Sequence, residues 1–225
     1  MTTNNNDNHS IDSKGTPYVK NFDVGNLEAI FFGPMFSGKT TELLHRLTTC
    51  ADVGLNALYI NHSDDERGTE KQDYHVTTHN SQFNGTSSKI NKLKTAILID
   101  LNVSRYDVIG IDEGQFFPDI VDAVRKWVIE NKKHVFIASL DGDSNIQPFG
   151  RVNELICLCS PNGLYKLESK CMECLSRGGE ERQLHFVSAG FSFKKDRGND
   201  NQKEIGGIDK YMALCLKCHQ ELSSK

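Results

Sequence analysis

The chain has 225 residues, 37% hydrophobic and 25% charged, with a net charge of −4 at pH 7. That is enough for one good core plus a small appendage. It lacks the basic excess of a nucleic-acid surface and any apolar run long enough to cross a bilayer.

Residues 1–26 are polar and Asn-rich, without the basic start and apolar stretch of a secretory signal. They read as a disordered tail. Leu27 to Phe32 is a short apolar run ended by Gly33, the pattern of a buried strand. Lys39 to Asp52 is helical, with Leu43, Leu44 and Leu47 on one face and Gly54 at the expected C-cap. Ala57 to Ile60 reads as the next strand and Asn61 to Glu70 as a polar loop carrying Asp64, Asp65, Glu66 and Arg67. His75 to His79 is compatible with a strand; Lys89 to Asn102 fits helix or strand. Asp107 to Ile111 is a buried strand ending in Asp112. Pro118 suits the first turn of a helix, striped by Ile120, Val121, Val124, Trp127 and Val128. His134 to Leu140 is another buried strand, Asp141 to Gly150 a loop, Val152 to Cys159 a helix and Leu164 to Leu167 a last core strand. Strands alternating with helices predict a crossover α/β fold with a parallel sheet. Beyond Lys170 no long apolar period survives, which sets a boundary near Ser169: a core over 27–169 and a separate unit over 170–225. No internal repeat is visible.

Gly33-Pro34-Met35-Phe36-Ser37-Gly38-Lys39-Thr40 matches G-x-x-x-x-G-K-[ST], the P-loop pattern. Glycines let backbone N–H groups turn toward phosphate oxygens, and the helix start adds its positive end. Lys39 reaches the β- and γ-phosphates and the Thr40 hydroxyl can hold Mg²⁺. A Gly-rich turn before an ordinary helix would give the same letters; the strand before and the helix after favour the phosphate cradle. The apolar strand Val108 to Ile111 ends in Asp112 and Glu113. An acid at a strand end completes the Mg²⁺ site of such enzymes, and Glu113 beside it is placed to take a proton. This pair does not choose the nucleophile: water makes an ATPase, a hydroxyl makes a kinase. Arg67 is a candidate transition-state cation, or an exposed arginine paired with its acidic neighbours.

The chain has seven cysteines. Four form two pairs, Cys171/Cys174 and Cys215/Cys218, forty residues apart. They predict a closed structural Zn²⁺ site in a reducing compartment, and His219 is an alternative fourth ligand to Cys218. Two unrelated thiol pairs, or a redox dithiol, are the competing readings. Cys50, Cys157 and Cys159 read as small buried hydrophobes.

From about Asn26 to Cys218 these segments closely resemble the type II thymidine kinases. The resemblance is carried by Gly33 to Thr40, Ile111-Asp-Glu-Gly-Gln-Phe-Phe117, Leu140-Asp-Gly142, Pro148-Phe-Gly150, Cys171-Met-Glu-Cys174 and Ile205-Gly-Gly-Ile-Asp-Lys-Tyr211. It implies a RecA-like P-loop core and a zinc-binding domain bearing a lasso loop, with ATP as donor and the thymidine 5′-hydroxyl as acceptor. Glu113 falls on the family's proton-accepting glutamate. Asp112 falls at the Mg²⁺ site, Arg67 near the transferred phosphate, and Asp65, Glu66 and Gln115 join the ATP/Mg group. Met35, Phe116, Leu140 and Phe149 fall where the family packs base and sugar, although ordinary core would also account for Leu140. Gln202, Lys203, Glu204, Ile205 and Gly206 fall on the lasso that reads the base largely through main chain, with Tyr211 just beyond. The resemblance further implies a cytoplasmic homotetramer inhibited by dTTP; the charge balance and the lack of a long apolar run give the expectation of no nucleic-acid or membrane partner.

Three positions depart from the family pattern. Ser144 stands where an aromatic residue is common, Ser192 stands where a base-contacting threonine is expected, and Leu175 to Gly190 is longer than the usual link. The rival functions are a RecA-like ATPase acting on nucleic acid and a zinc-organised module that binds ATP without turnover.

Overall fold

The computed structural model describes residues 22–64, 90–178, 187–196 and 206–224. Its centre is a six-stranded, all-parallel sheet. The strands are β1 (Asn26–Phe32), β2 (Ala57–His62), β3 (Ile90–Thr95), β4 (Val108–Ile111), β5 (His134–Ser139) and β6 (Leu164–Lys166), in the order β3-β2-β4-β5-β1-β6. The expected parallel α/β core is therefore present.

Side-chain alternation explains why the sheet is covered on both faces. On one face Ala29, Phe31, Ala57, Tyr59, Val108 and Ala138 pack under α1 (Lys39–Asp52), which contributes Leu43, Leu44 and Leu47. On the other face Ile30, Phe32, Leu58, Ile60, Ile109, Ile111, Val135 and Ile137 meet α2 (Ile120–Arg125), with Trp127 and Val128. Adjacent residues of a strand point to opposite faces, so each near-continuous apolar run serves two cores.

Several expectations need correction. Asn61 and His62 belong to β2 rather than to a loop, and both are buried. The ambiguous stretch after Lys89 gives β3, then turns. Pro118 lies just before the helix, whose N-cap is Asp119, and α2 continues as a π-turn over Lys126–Glu130. The helix expected from Val152 is a 3₁₀ segment, Val152–Leu158. Leu164–Lys166 forms an exposed edge strand rather than a core strand. Cys157 is exposed, and Cys50 and Cys159 are half-buried. The His75–His79 strand and the tail through residue 21 lie outside the described residues.

Past β6, two small antiparallel pairs follow. They are β7 (Ser169–Lys170) with β8 (Ser188–Ala189), and β9 (Phe191–Lys194) with β10 (Tyr211–Leu214). The short helices α3 (Met172–Arg177) and α4 (Leu216–Ser223) join them around a separate apolar cluster of Cys171, Ala189, Phe193, Ala213, Leu214 and Cys218.

Candidate active site

The site lies at the carboxyl ends of the strands, where open α/β sheets bind their ligands. β1 delivers the chain into Gly33, whose φ is +150°. A Cβ there would stand 2.6 Å from the Leu167 carbonyl and 2.7 Å from Ser37 Oγ, so only glycine fits. Phe36 takes a left-handed conformation at φ 64°, an arrangement that turns successive N–H groups inward. The Ser37 hydroxyl and the Lys39 ammonium both donate to the Pro34 carbonyl, at 2.9 and 2.7 Å. The loop borders a cavity of about 420 Å³ lined by Met35 to Glu42, Glu113 and Leu167. Six of the eight motif residues, Met35 to Thr40, line this cavity, while Gly33 and Pro34 precede them in the loop.

β4 delivers Asp112 to the same place. Its Oδ1 accepts from the Thr40 hydroxyl at 3.1 Å and from the Glu113 N–H at 3.0 Å, and its Oδ2 accepts from the Tyr59 hydroxyl at 2.7 Å. Asp112 is 4% exposed, so these three donors hold a carboxylate that burial would otherwise disfavour. Thr40 spends its proton on Asp112 and keeps its lone pairs for a cation. Oxygen donors of this kind suit Mg²⁺. Tyr59 escaped the sequence reading. A tyrosine in a fully buried strand needs a polar partner for its hydroxyl, but the sequence does not say which.

Glu113 sits at φ 52°, a costly conformation for a residue with a side chain. It opens a 3₁₀ turn, Gly114–Phe116. Gln115 is buried in that turn: its Nε2 donates to Glu113 Oε2 at 2.6 Å, and its Oε1 accepts from Ser139 Oγ at 3.1 Å and from the Leu140 N–H at 3.0 Å.

Beside this polar floor is an apolar cluster of Met35, Leu140 and Phe149, with Phe36, Phe116 and Tyr211 packed against it. Phe116 and Phe149 meet edge to face at 5.7 Å. Met35 lines the cavity and also belongs to the cluster, so this side chain joins the two. Ser192 is buried, and its Oγ accepts from the Met35 N–H at 2.9 Å. Ser144 lies on the Asp141 to Gly150 loop, with its carbonyl turned to His219. Gly206 is described and packs on Lys210. Asp65, Glu66, Arg67, Gln202, Lys203, Glu204 and Ile205 lie outside the described residues.

The sulfurs of Cys171, Cys174, Cys215 and Cys218 all lie within 4.8 Å of one another. The Cys174 Sγ is 3.9 Å from Cys215 Sγ and 3.5 Å from Cys218 Sγ. A tetrahedral zinc with ~2.3 Å bonds sets its sulfurs about 3.8 Å apart, so the four fit that ion. Cys171 and Cys215 are the N-caps of α3 and α4, which puts the second cysteine of each pair in the first helical turn. Burial opposes ionisation of Cys171, but backbone N–H groups of Cys215 and Cys174 and the neighbouring thiols outweigh it and bring its pKa to about 7. Burial and the adjacent sulfurs push Cys218 up. His219 turns away from the clip, its Nε2 bonded to Ser144 O at 3.0 Å.

A parallel sheet with a phosphate cradle at one strand end and a threonine-held aspartate at another defines a P-loop α/β nucleotide-binding protein. The family model described as thymidine kinase matches residues 25–219, and the chain belongs to that family. Similar proteins include "Thymidine kinase 1" of Dictyostelium discoideum, 36% identical over 199 residues, covering 87% of this chain and 78% of that protein. The thymidine kinase of raccoon poxvirus is 36% identical over 197 residues, covering 87% and 97%. That of Yaba monkey tumor virus is also 36% identical over 197 residues, covering 87% and 95%.

Proposed function

We propose that the protein transfers the γ-phosphate of ATP to the 5′-hydroxyl of thymidine, giving dTMP and ADP. The observation that carries this reading is the Met35 side chain, which joins cavity and cluster. A phosphate cavity floored by Glu113 adjoins an apolar cluster suited to a nucleoside base and sugar. In the reaction the P-loop amides and Lys39 hold the triphosphate. Glu113 accepts the proton of the 5′-hydroxyl, the 5′-oxygen bonds to the γ-phosphorus, and the bond to the β–γ bridging oxygen breaks. Thr40 and Asp112 are the residues that would hold Mg²⁺, which when bound neutralises charge on the β- and γ-oxygens. Arg67 is assigned to the transferred phosphate, and Asp65, Glu66 and Gln115 to the ATP/Mg group. Met35, Phe116, Leu140, Ser144, Phe149, Ser192, Tyr211 and the 202–206 lasso are assigned to thymidine.

Residues 27–169 are taken as the kinase core and 170–225 as a lasso unit held by zinc on the four cysteines. No helix among the described residues is long and apolar enough to cross a membrane. The proposed setting is the cytoplasm, where reduced thiols persist. A homotetramer inhibited by dTTP completes the reading.

The test is a panel of nucleosides with ATP, reading kcat/KM for each acceptor. Thymidine should lead. DNA-stimulated ATP hydrolysis without nucleoside would instead favour the ATPase, and no ATP consumption at all would favour a binding module. Size-exclusion with light scattering tests the tetramer, and a dTTP titration tests inhibition.

A further inference from the structure

His219 is 4% exposed and belongs to neither the phosphate cradle nor the cysteine tetrad. Its N–H donates to the Cys215 carbonyl at 3.0 Å, which joins its backbone to the clip. Its ring stands edge-on to Phe191 and Phe193, with centroids 6.1 and 5.4 Å away. The ring Nε2 lies 3.0 Å from the Ser144 carbonyl, 75 residues earlier in the chain. A carbonyl only accepts, so Nε2 carries the proton. Nδ1 faces the Ser223 hydroxyl at 3.3 Å, which can donate to it. Both ring nitrogens thereby have a partner.

Ser144 stands at the tip of a braced loop. Asp143 N–H donates to the Gln147 carbonyl at 2.8 Å, Phe149 N–H donates to the Asp141 carbonyl at 3.3 Å, and Gly142 pairs with Pro148. The Asp143 carboxylate accepts from the Asn145 and Gln147 N–H groups, each at 2.9 Å. A loop tied in this way moves as a piece. Its two roots are Leu140 and Phe149, the pair that packs on Met35.

We propose that His219 is a positioning residue: a strut from the cysteine clip to the 141–150 loop that holds Leu140 and Phe149 in register for the nucleoside. Metal occupancy and nucleoside affinity are then coupled, although the clip touches no reacting atom. This rests on the thymidine kinase reading. A histidine buried for packing alone would tolerate an apolar substitute of similar size; a strut needs the Nε2 donor.

The test compares His219→Leu, which fills the space without a donor, with His219→Gln, whose amide can donate from nearly the same place. Both are made in the full chain. Three quantities are read: zinc per chain, steady-state constants, and hydrogen exchange over residues 142–147. The leucine variant should keep one zinc per chain while its thymidine KM rises about threefold to tenfold, as expected for a half-buried carbonyl that loses its donor. Its kcat and ATP KM should stay within about twofold, and residues 142–147 should exchange faster. The glutamine variant should recover most of the difference. Normal thymidine KM and exchange in metal-loaded His219→Leu would overturn the strut, as would a defect that glutamine does not rescue. If the leucine variant misfolds, Ser223→Ala serves instead, because it withdraws only the hydroxyl behind Nδ1. It should raise thymidine KM about two- to threefold and loosen 142–147; no change in either overturns the proposal. If the wild-type chain does not phosphorylate thymidine, the functional reading fails while the exchange arm still reports on the strut.

Discussion

Gln115 Nε2 donates to Glu113 Oε2 across 2.6 Å while the other end of the same amide is held by the Leu140 N–H. The Leu140 N–H can only donate, so it fixes which way the amide points. The nitrogen is left facing the carboxylate and holds one of its oxygens in place. β4 and β5 are neighbours in the sheet, so this amide spans their carboxyl ends and holds Glu113, which lines the cavity beside the P-loop.

Glu113→Gln is therefore expected to bind ATP and thymidine within about threefold of wild type while kcat falls roughly 10²- to 10⁴-fold, the range of a lost general base. Rapid-quench turnover and calorimetric binding measure the two halves separately. A variant turning over at near-normal rate would remove Glu113 from the role of base.

Gln115→Leu keeps the volume but removes both ends of the bridge. The buried Leu140 N–H loses its side-chain acceptor at a cost of about 1–3 kcal/mol, and Glu113 loses the donor that orients it. The expected outcome is a lower urea midpoint together with a fall in kcat of about tenfold or more. Unchanged turnover in the folded variant would show that Glu113 is oriented by other contacts.

Much of this floor was legible in the sequence because chain order alone predicts it. An apolar run ended by Gly33, and another ended by Asp112 and Glu113, mark two strand ends that a parallel sheet must bring to one edge. The bridge was not legible in the same way. Gln115 meets Leu140 25 residues later, and Tyr59 meets Asp112 53 residues later; no local period encodes either contact. Val152–Leu158 misled because two turns of apolar spacing fit a 3₁₀ segment as well as an α-helix. Leu164–Lys166 misled because an apolar run does not reveal whether its strand lies at the centre or the edge. His219 stood beside Cys218 in a metal-binding pattern, which hid that its ring faces the other way.

Gly150 sits at φ 64°, and a Cβ on it would stand 2.4 Å from the Gln115 carbonyl oxygen and 2.7 Å from Gln115 Cα. These are backbone atoms and cannot rotate aside. Gly150→Ala is expected to cost about 1–3 kcal/mol through overpacking, and to push on the turn that carries Glu113 and Gln115. Stability and kcat should fall together, with ATP affinity changed less. Wild-type kcat in this variant would show that the turn absorbs the shift.

The cysteine clip gives the last prediction. Four sulfurs at zinc-like spacing hold α3 and α4 over a cluster that, among the described residues, has six buried members, two of them cysteines. So small a core does not stabilise itself without a staple. A structural zinc supplies folding free energy directly, and its thiolate ligands make its retention fall as pH is lowered. Cys218→Ser is expected to lose the metal and expose the 170–225 unit to protease, while the parallel sheet, with its two large apolar clusters, keeps its cooperative melt. Metal analysis, limited proteolysis with mass mapping and circular dichroism read these three outcomes. A folded, active wild-type chain free of zinc would refute the clip as a metal site. A Cys218→Ser chain that kept zinc with full protease resistance would show that the other three sulfurs suffice.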